Sequence, residues 1–214
     1  MPTKAHHERH KLHLRHFRRA DPAIAEVIRL VGPMRIASRR DRFEMLARSI
    51  ISQQISTAAA RSIRQRLETL CGDGGVTPER LAALSPADLR TAGVSPQKAA
   101  YLRDLAAHAA DGRVRLKTIG RKRDDEVIDE LVQVKGIGRW TAQMFLIFAL
   151  GRQDVFPRDD LGVRAAIRRL HALPSMPERK YLDGVAERWR PFGTVGSWYC
   201  WRYLELDRET VKPS

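Results

Sequence analysis

The sequence predicts an all-α protein, on three observations. Apolar residues recur at spacings of three and four along most of the chain. A capping side chain followed at once by proline, a helix-start signal, occurs at Asp21-Pro22, Thr77-Pro78, Ser85-Pro86 and Ser95-Pro96. No convincing alternating run marks a strand. The chain reads as about ten short helices, with no internal repeat and no flexible linker.

Taken in order, residues 1–19 are basic and rich in histidine and read as a solvated, polyanion-facing or frayed first helix. His6, His10 and His13 share a helical spacing, but no acid or thiolate completes a metal ligand set. Asp21-Pro22 opens a helix that runs from Ala23 to Val31 and stops at Gly32-Pro33. Phe43, Leu46, Ala47, Ile50 and Ile51 make one apolar face over 42–51, the polar turn 52–56 breaks it, and a helix resumes over 58–70. Thr77 and Ser85 cap two short helices. Ser95 opens a longer one with Ala99, Leu102, Leu105 and Ala106 on one face. Two helices over 124–134 and 139–150 form a central hairpin, followed by helices over 159–170 and 177–189 and an aromatic one over 196–206.

The chain has 214 residues, 43% of them hydrophobic, enough for one large domain or two small ones. Lys and Arg number 39 against 25 Asp and Glu, a formal charge of +14. That balance favours a polyanionic partner, because each neutralised phosphate releases a condensed counterion. No apolar run approaches the ~20 residues a bilayer needs. No secretory segment opens the chain, so the expected place is the cytosol, beside the nucleoid, or the nucleus of a eukaryote. Cys71 and Cys200 are too few for a disulfide framework or for a four-thiolate iron–sulfur or zinc site.

The informative stretch is 131–160, LVQVKGIGRWTAQMFLIFALGRQDVFPRDD. A dinucleotide-binding fingerprint is excluded: its third glycine would fall at position 141, which holds Thr141, and no strand precedes it. A plain helix C-cap explains one glycine but not two flanking Ile137. Gly136 and Gly138 are expected to adopt torsions closed to other residues. Their N–H groups, with the positive end of the helix opening at Arg139, would then meet a phosphate. A paired acid, Asp159 and Asp160, follows.

The chain resembles the helix-hairpin-helix/GPD superfamily of base-excision DNA glycosylases, and within it the DNA-3-methyladenine glycosylase II branch that acts on alkylated purines. The resemblance runs through FEMLARSIISQQIS (43–56), LRTAGVSPQKAAYLRDLA (89–106), KGIGRWTA (135–142), VFPRDD (155–160) and AERWRPFGTVGSWYCWRYL (186–204), in the right order over most of the chain. It implies two helical subdomains with the hairpin motif flanking a DNA-binding cleft. The expected division is 1–40, packing with the C-terminal helices, 41–150 including the hairpin at about 124–150, and 151–214 carrying the acid.

The same resemblance assigns roles. Asp160 is the catalytic acid; its neighbour Asp159 reads, from the local sequence alone, as the N-cap of the helix that follows. Trp140 and Trp201 wall a pocket for an extruded base; Trp189 and Trp198 read as core residues, the usual place of a large apolar ring. Met144 stands where relatives often place a tyrosine. Gln53 and Gln54 belong to the loop that fills the gap left by the extruded nucleotide, Gln54 as the wedge. Gly136, Ile137, Gly138, Arg139 and Thr141 contact DNA. Backbone carbonyls of Val132, Val134 and Ile137 hold a structural Na or K ion, with no cofactor needed for the chemistry. Relatives that also cut the strand place a Schiff-base lysine at position 140; tryptophan there implies a monofunctional enzyme.

The chemistry fits those residues. A 3-methyladenine or 7-methylguanine base is cationic and leaves readily, its departure giving the sugar oxocarbenium character that a carboxylate stabilises. The base must leave the stack to be reached, and an electron-rich ring favours a cationic base. The expected partner is double-stranded DNA containing damaged bases, bound by a monomer. The alternatives are a glycosylase of the same fold for deaminated, oxidised or mismatched bases, or a non-catalytic hairpin module that binds DNA.

Overall fold

The computed structural model of the protein describes residues 4–36 and 41–210. Among them are twelve α-helices and one short 3-10 turn, with no strand. They are α1 (Lys4–Ala20), α2 (Pro22–Val31), α3 (Arg42–Ser52), α4 (Thr57–Cys71), α5 (Pro78–Ala83), α6 (Pro86–Thr91), α7 (Pro96–Ala110), α8 (Asp124–Leu131), α9 (Arg139–Phe148), α10 (Leu161–Leu170), α11 (Arg179–Trp189) and α12 (Gly193–Thr210). No helix among the described residues is long and apolar enough to cross a membrane.

Each of the four proline-led starts is a real cap. Asp21, Thr77, Ser85 and Ser95 accept the N–H three residues on, satisfying one of the donors a helix start leaves without an intrahelical acceptor. Ser85 adds a full capping box with Asp88. α8 ends at Leu131, short of the expected Val134, because the turn into the hairpin begins there. α10 starts at Leu161 and α11 at Arg179, each two residues later than the sequence pattern suggests, whereas α12 starts earlier, at Gly193.

The helices group into two compact units. The first joins residues 4–36 to 151–210; the second is 41–150. In the first, α1, α2, α10, α11 and α12 surround Phe17, Ile24, Ile28, Val163, Ile167, Val185, Trp189 and Tyr199, all fully buried. Gly196 lets α12 close on the Trp189 ring: a Cβ there would fall 2.2 Å from it. Trp189 donates its indole N–H to Asp21 at 2.9 Å, so the cap of α2 also orients the central aromatic. Trp198, expected in the core, is only half-buried and packs edge-on against Tyr199. α1 is not merely solvated. His13 and Phe17 are buried on its inner face, with His13 against the Phe192 ring at 5.1 Å. His6 has no described side chain, and among the described residues no His, Cys, Asp and Glu group could hold a metal.

The second unit buries Leu46 and Ile50 of α3, Leu67 of α4, Leu102 and Leu105 of α7, Leu131 of α8 and Phe145 and Ile147 of α9. α3 packs on α4, α7 and α9, and α8 on α9. Burial of such side chains, each worth about 1.5–3 kcal/mol, supplies the main stabilising term. Both cysteines are buried free thiols.

Candidate functional site

The hairpin lies in the second unit. After α8 the chain tightens, Val134 N–H bonding Leu131 O at 3.2 Å and Ile137 N–H bonding Val134 O at 3.0 Å. Gly136 sits at φ +82°, open to glycine at little cost. It is also pressed against Tyr101, whose ring carbon would be 2.2 Å from an added Cβ. Gly138 differs from expectation. Its φ of −91° and ψ of 174° are ordinary extended backbone, and an added Cβ would meet nothing within 4 Å. It serves as the N-cap of α9 without bringing a side-chain acceptor to it, and leaves open space in front. Gly138 and Arg139 are exposed, whereas Ile137 and Thr141 are buried.

The loop after α3 stands beside this turn. Gln53 is the C-cap of α3, and its side-chain amide donates to the Gly136 carbonyl at 2.7 Å. Gln54 is exposed and held at φ +56°, the left-handed region that a non-glycine residue adopts only under constraint. Lys98, from α7, donates to the carbonyls of Ile51 and Gln53 at 2.7 and 2.6 Å. An open cavity of about 220 Å³ lies here, with Gln53, Gln54, Ile55, Ser95, Gln97 and Lys98 among its walls.

Trp140 is on the first turn of α9, 46% exposed, and Met144 lies one turn further along, buried. The resemblance implies a monovalent cation on the carbonyls of Val132, Val134 and Ile137. That of Val134 already accepts Ile137 N–H and retains a second lone pair. Carbonyl oxygens are the donor type that hard cations take.

The acid lies in the first unit. Asp160 N–H closes a turn onto Pro157 O at 2.9 Å, and α10 begins immediately after. Asp160, not Asp159, is the N-cap: its Oδ1 accepts Val163 N–H at 2.8 Å. The same oxygen accepts the indole N–H of Trp201 at 2.9 Å. The carboxylate is 9% exposed, while Asp159 is on the surface. The turn 152–157 is in turn fastened to the start of α12, where Thr194 Oγ1 accepts Val155 N–H at 3.0 Å and donates to Arg152 O at 2.7 Å. Gly162 keeps the site tight, since a Cβ would be 3.1 Å from both Asp160 Oδ1 and Trp201 Cδ1. The result is one oriented, nearly buried carboxylate against an indole, suited to facing a developing positive charge.

The structure thus gathers Gln53, Gln54 and the glycine turn in one unit, and Asp160 with Trp201 in the other. Lys98, Tyr101 and Asp104, which accepts Lys135 N–H at 2.8 Å, leave no mark in the sequence because their signal is tertiary. The Trp201–Asp160 hydrogen bond leaves none either, since it joins side chains 41 residues apart.

Comparison with known proteins bears on both units. The profile of the HhH-GPD superfamily base excision DNA repair proteins matches residues 47–191. DNA-3-methyladenine glycosylase 1 of Schizosaccharomyces pombe is 36% identical over 185 residues, 84% of this chain and 81% of that protein. The crystal structure of a DNA-3-methyladenine glycosidase from Bacillus halodurans superposes with a TM-score of 0.81 at 33% identity, covering 88% of this chain and 87% of that one. An S. pombe 3-methyladenine DNA glycosylase in complex with abasic DNA gives 0.79 at 34% identity, over 90% of this chain and 96% of that one.

Proposed function

The chain belongs to the HhH-GPD superfamily of base excision DNA repair proteins and is a glycosylase enzyme of that superfamily, and from this premise we propose that it hydrolyses the N-glycosidic bond of alkylated purines in duplex DNA without cutting the strand. The observation that carries the proposal is the Asp160–Trp201 pair.

A purine methylated at N3 or N7 is cationic, so the bond to the sugar breaks with little need for protonation of the base. The demand falls on the other fragment, whose sugar carbon acquires positive charge. Asp160, oriented by the Val163 and Trp201 N–H groups, supplies the opposing charge and accepts the proton of the attacking water. The faces of Trp140 and Trp201 suit a cationic base better than a neutral one, through cation–π attraction. Tryptophan at position 140 offers no amine there for a Schiff base, which supports hydrolysis alone. The glycine turn and Arg139 would hold backbone phosphate, and a monovalent ion on the hairpin carbonyls would add positive charge to that grip. Similarity to the S. pombe and B. halodurans 3-methyladenine enzymes supports this substrate class.

The test is base release from methylated duplex DNA, wild type beside Asp160→Asn. Asparagine caps a helix about as well as aspartate, so the variant keeps its fold. Expected is release of 3-methyladenine or 7-methylguanine by wild type and a loss of about 10²–10⁴-fold in the variant, with DNA affinity retained. Near-normal turnover by Asp160→Asn would sink the assignment. Release of only deaminated or oxidised bases would redirect the substrate.

A further inference from the structure

We propose that one face of α7, formed by Lys98, Tyr101 and Asp104, is a positioning device that ties the loop carrying Gln54 to the glycine turn of the hairpin, so that filling the duplex and gripping its phosphate occur as one step. The proposal rests on the reading of the protein as a base-extruding glycosylase, with Gln54 as the wedge.

The three residues are spaced by three along α7, so they lie in a row on one side of the helix. Lys98 takes the two carbonyls at the end of α3, where the helix dipole is negative and a cation is favoured. Partial burial lowers the Lys98 pKa, as expected for an ammonium lodged among backbone groups. One of those carbonyls belongs to Gln53, the residue immediately before Gln54, so the bond fixes the peptide from which the wedge departs. A turn further on, the Tyr101 ring fills the space beside Gly136 that any other residue's Cβ would need. Its hydroxyl accepts the Gln97 amide at 3.0 Å. Beyond it, Asp104 accepts Lys135 N–H at 2.8 Å. The Gln53 amide closes the circuit onto Gly136 O at 2.7 Å.

Core packing does not require this row. Leu102, Leu105 and Ala106 already bury the apolar face of α7 completely or nearly so, while Lys98, Tyr101 and Asp104 are each only half-buried. Outside α7, Lys98 bonds the end of α3 and Asp104 bonds Lys135, while Tyr101 meets the turn through its ring. Loops that must enter DNA are ordinarily the mobile parts of a protein. Here both loops are referred to a single rigid helix. A wedge that yields on meeting the base stack cannot hold it open; a wedge braced against the same helix as the phosphate grip can.

The experiment is a double-mutant cycle read without base release. A duplex carrying 2-aminopurine opposite a tetrahydrofuran abasic-site analogue reports unstacking by its fluorescence. Wild type should raise the signal on binding. Lys98→Met, which keeps the stem but loses both bonds, should reduce the increase by about tenfold, as should Gln54→Ala. The double variant should be no worse than Gln54→Ala alone, the mark of a residue acting through another. Lys98→Arg should restore the signal. Melting of Lys98→Met should stay within about 4 °C of wild type; if it does not fold, Asp104→Ala takes its place in the cycle. Strictly additive effects, or a wild-type signal from a folded Lys98→Met, would overturn the proposal, as would a wild type that binds without unstacking. Base release run in parallel keeps the two ideas apart: a wild type that unstacks with the expected coupling yet frees no base rejects the glycosylase reading and leaves the coupling standing.

Discussion

Gly136 and Gly138 are two residues apart and answer to different constraints. Gly136 combines a positive φ with a ring where its Cβ would be. Gly136→Ala should therefore destabilise the fold by about 3 kcal/mol, torsional cost and overpacking together. Gly138 has neither. Gly138→Ala should cost less than about 1 kcal/mol yet weaken DNA binding, because a methyl would occupy the open approach to the start of α9. Thermal melting and a DNA titration on both variants check this; equal stability losses would refute it. Trp140 supports a second expectation. With no lysine there, borohydride should trap no covalent adduct with damaged DNA, and efficient trapping would overturn hydrolysis as the only reaction. At this scale some features were legible in the sequence and others were not. The turn showed because two glycines flanking an isoleucine are unusual locally. Which of two adjacent aspartates caps α10 did not show, because the Pro157 turn fixes that register and leaves no local mark on Asp159 or Asp160.

Helices report their starts more readily than their partners. Capping side chains and prolines act within one turn, which is why α2, α5, α6 and α7 begin where their sequences suggest. α12 lacks such a signal, and its first turn is set by Thr194 bonding back to the segment 152–155. α1 shows the same limit, since its histidines read as solvated, yet Phe192 packs edge-on against both His13 and His16. Burial, reinforced by the neighbouring charges of His10, Arg9 and His16, pushes His13 from 6.5 down to about 4. The unfolded chain then binds the extra proton between those values. Stability gained by keeping His13 neutral is fully present above 6.5 and is lost as pH falls toward 4. Melting temperature should drop across that window, and His13→Leu should flatten the drop. An unchanged profile in the variant would mean another group governs it.

The whole molecule carries a formal charge of +14, and phosphate contacts should make DNA affinity fall with salt as about the 0.9 power for each contact. Binding measured between low and physiological salt should give a steep log–log slope; a flat response would argue against backbone gripping. Fold class was legible at this scale because periodicity and capping agreed along the whole chain. The pairing of residues 4–36 with 151–210 was not visible as periodicity. It depends on α1 and α2 meeting α10 to α12 across more than a hundred residues, through contacts such as Asp21 with His171 and Trp189.

Gln54 and Ala172 share a left-handed backbone, at φ +56° and +50°. Both are places where random mutagenesis has something to gain, since glycine removes a strain of roughly 1 kcal/mol and asparagine reduces it. A library sorted for heat resistance alone should enrich those residues at both positions. Sorted instead for survival of cells under a methylating agent, the same library should accept them at 172 and reject them at 54. The divergence between the two sorts would separate a backbone kink tolerated by chance from one retained for use.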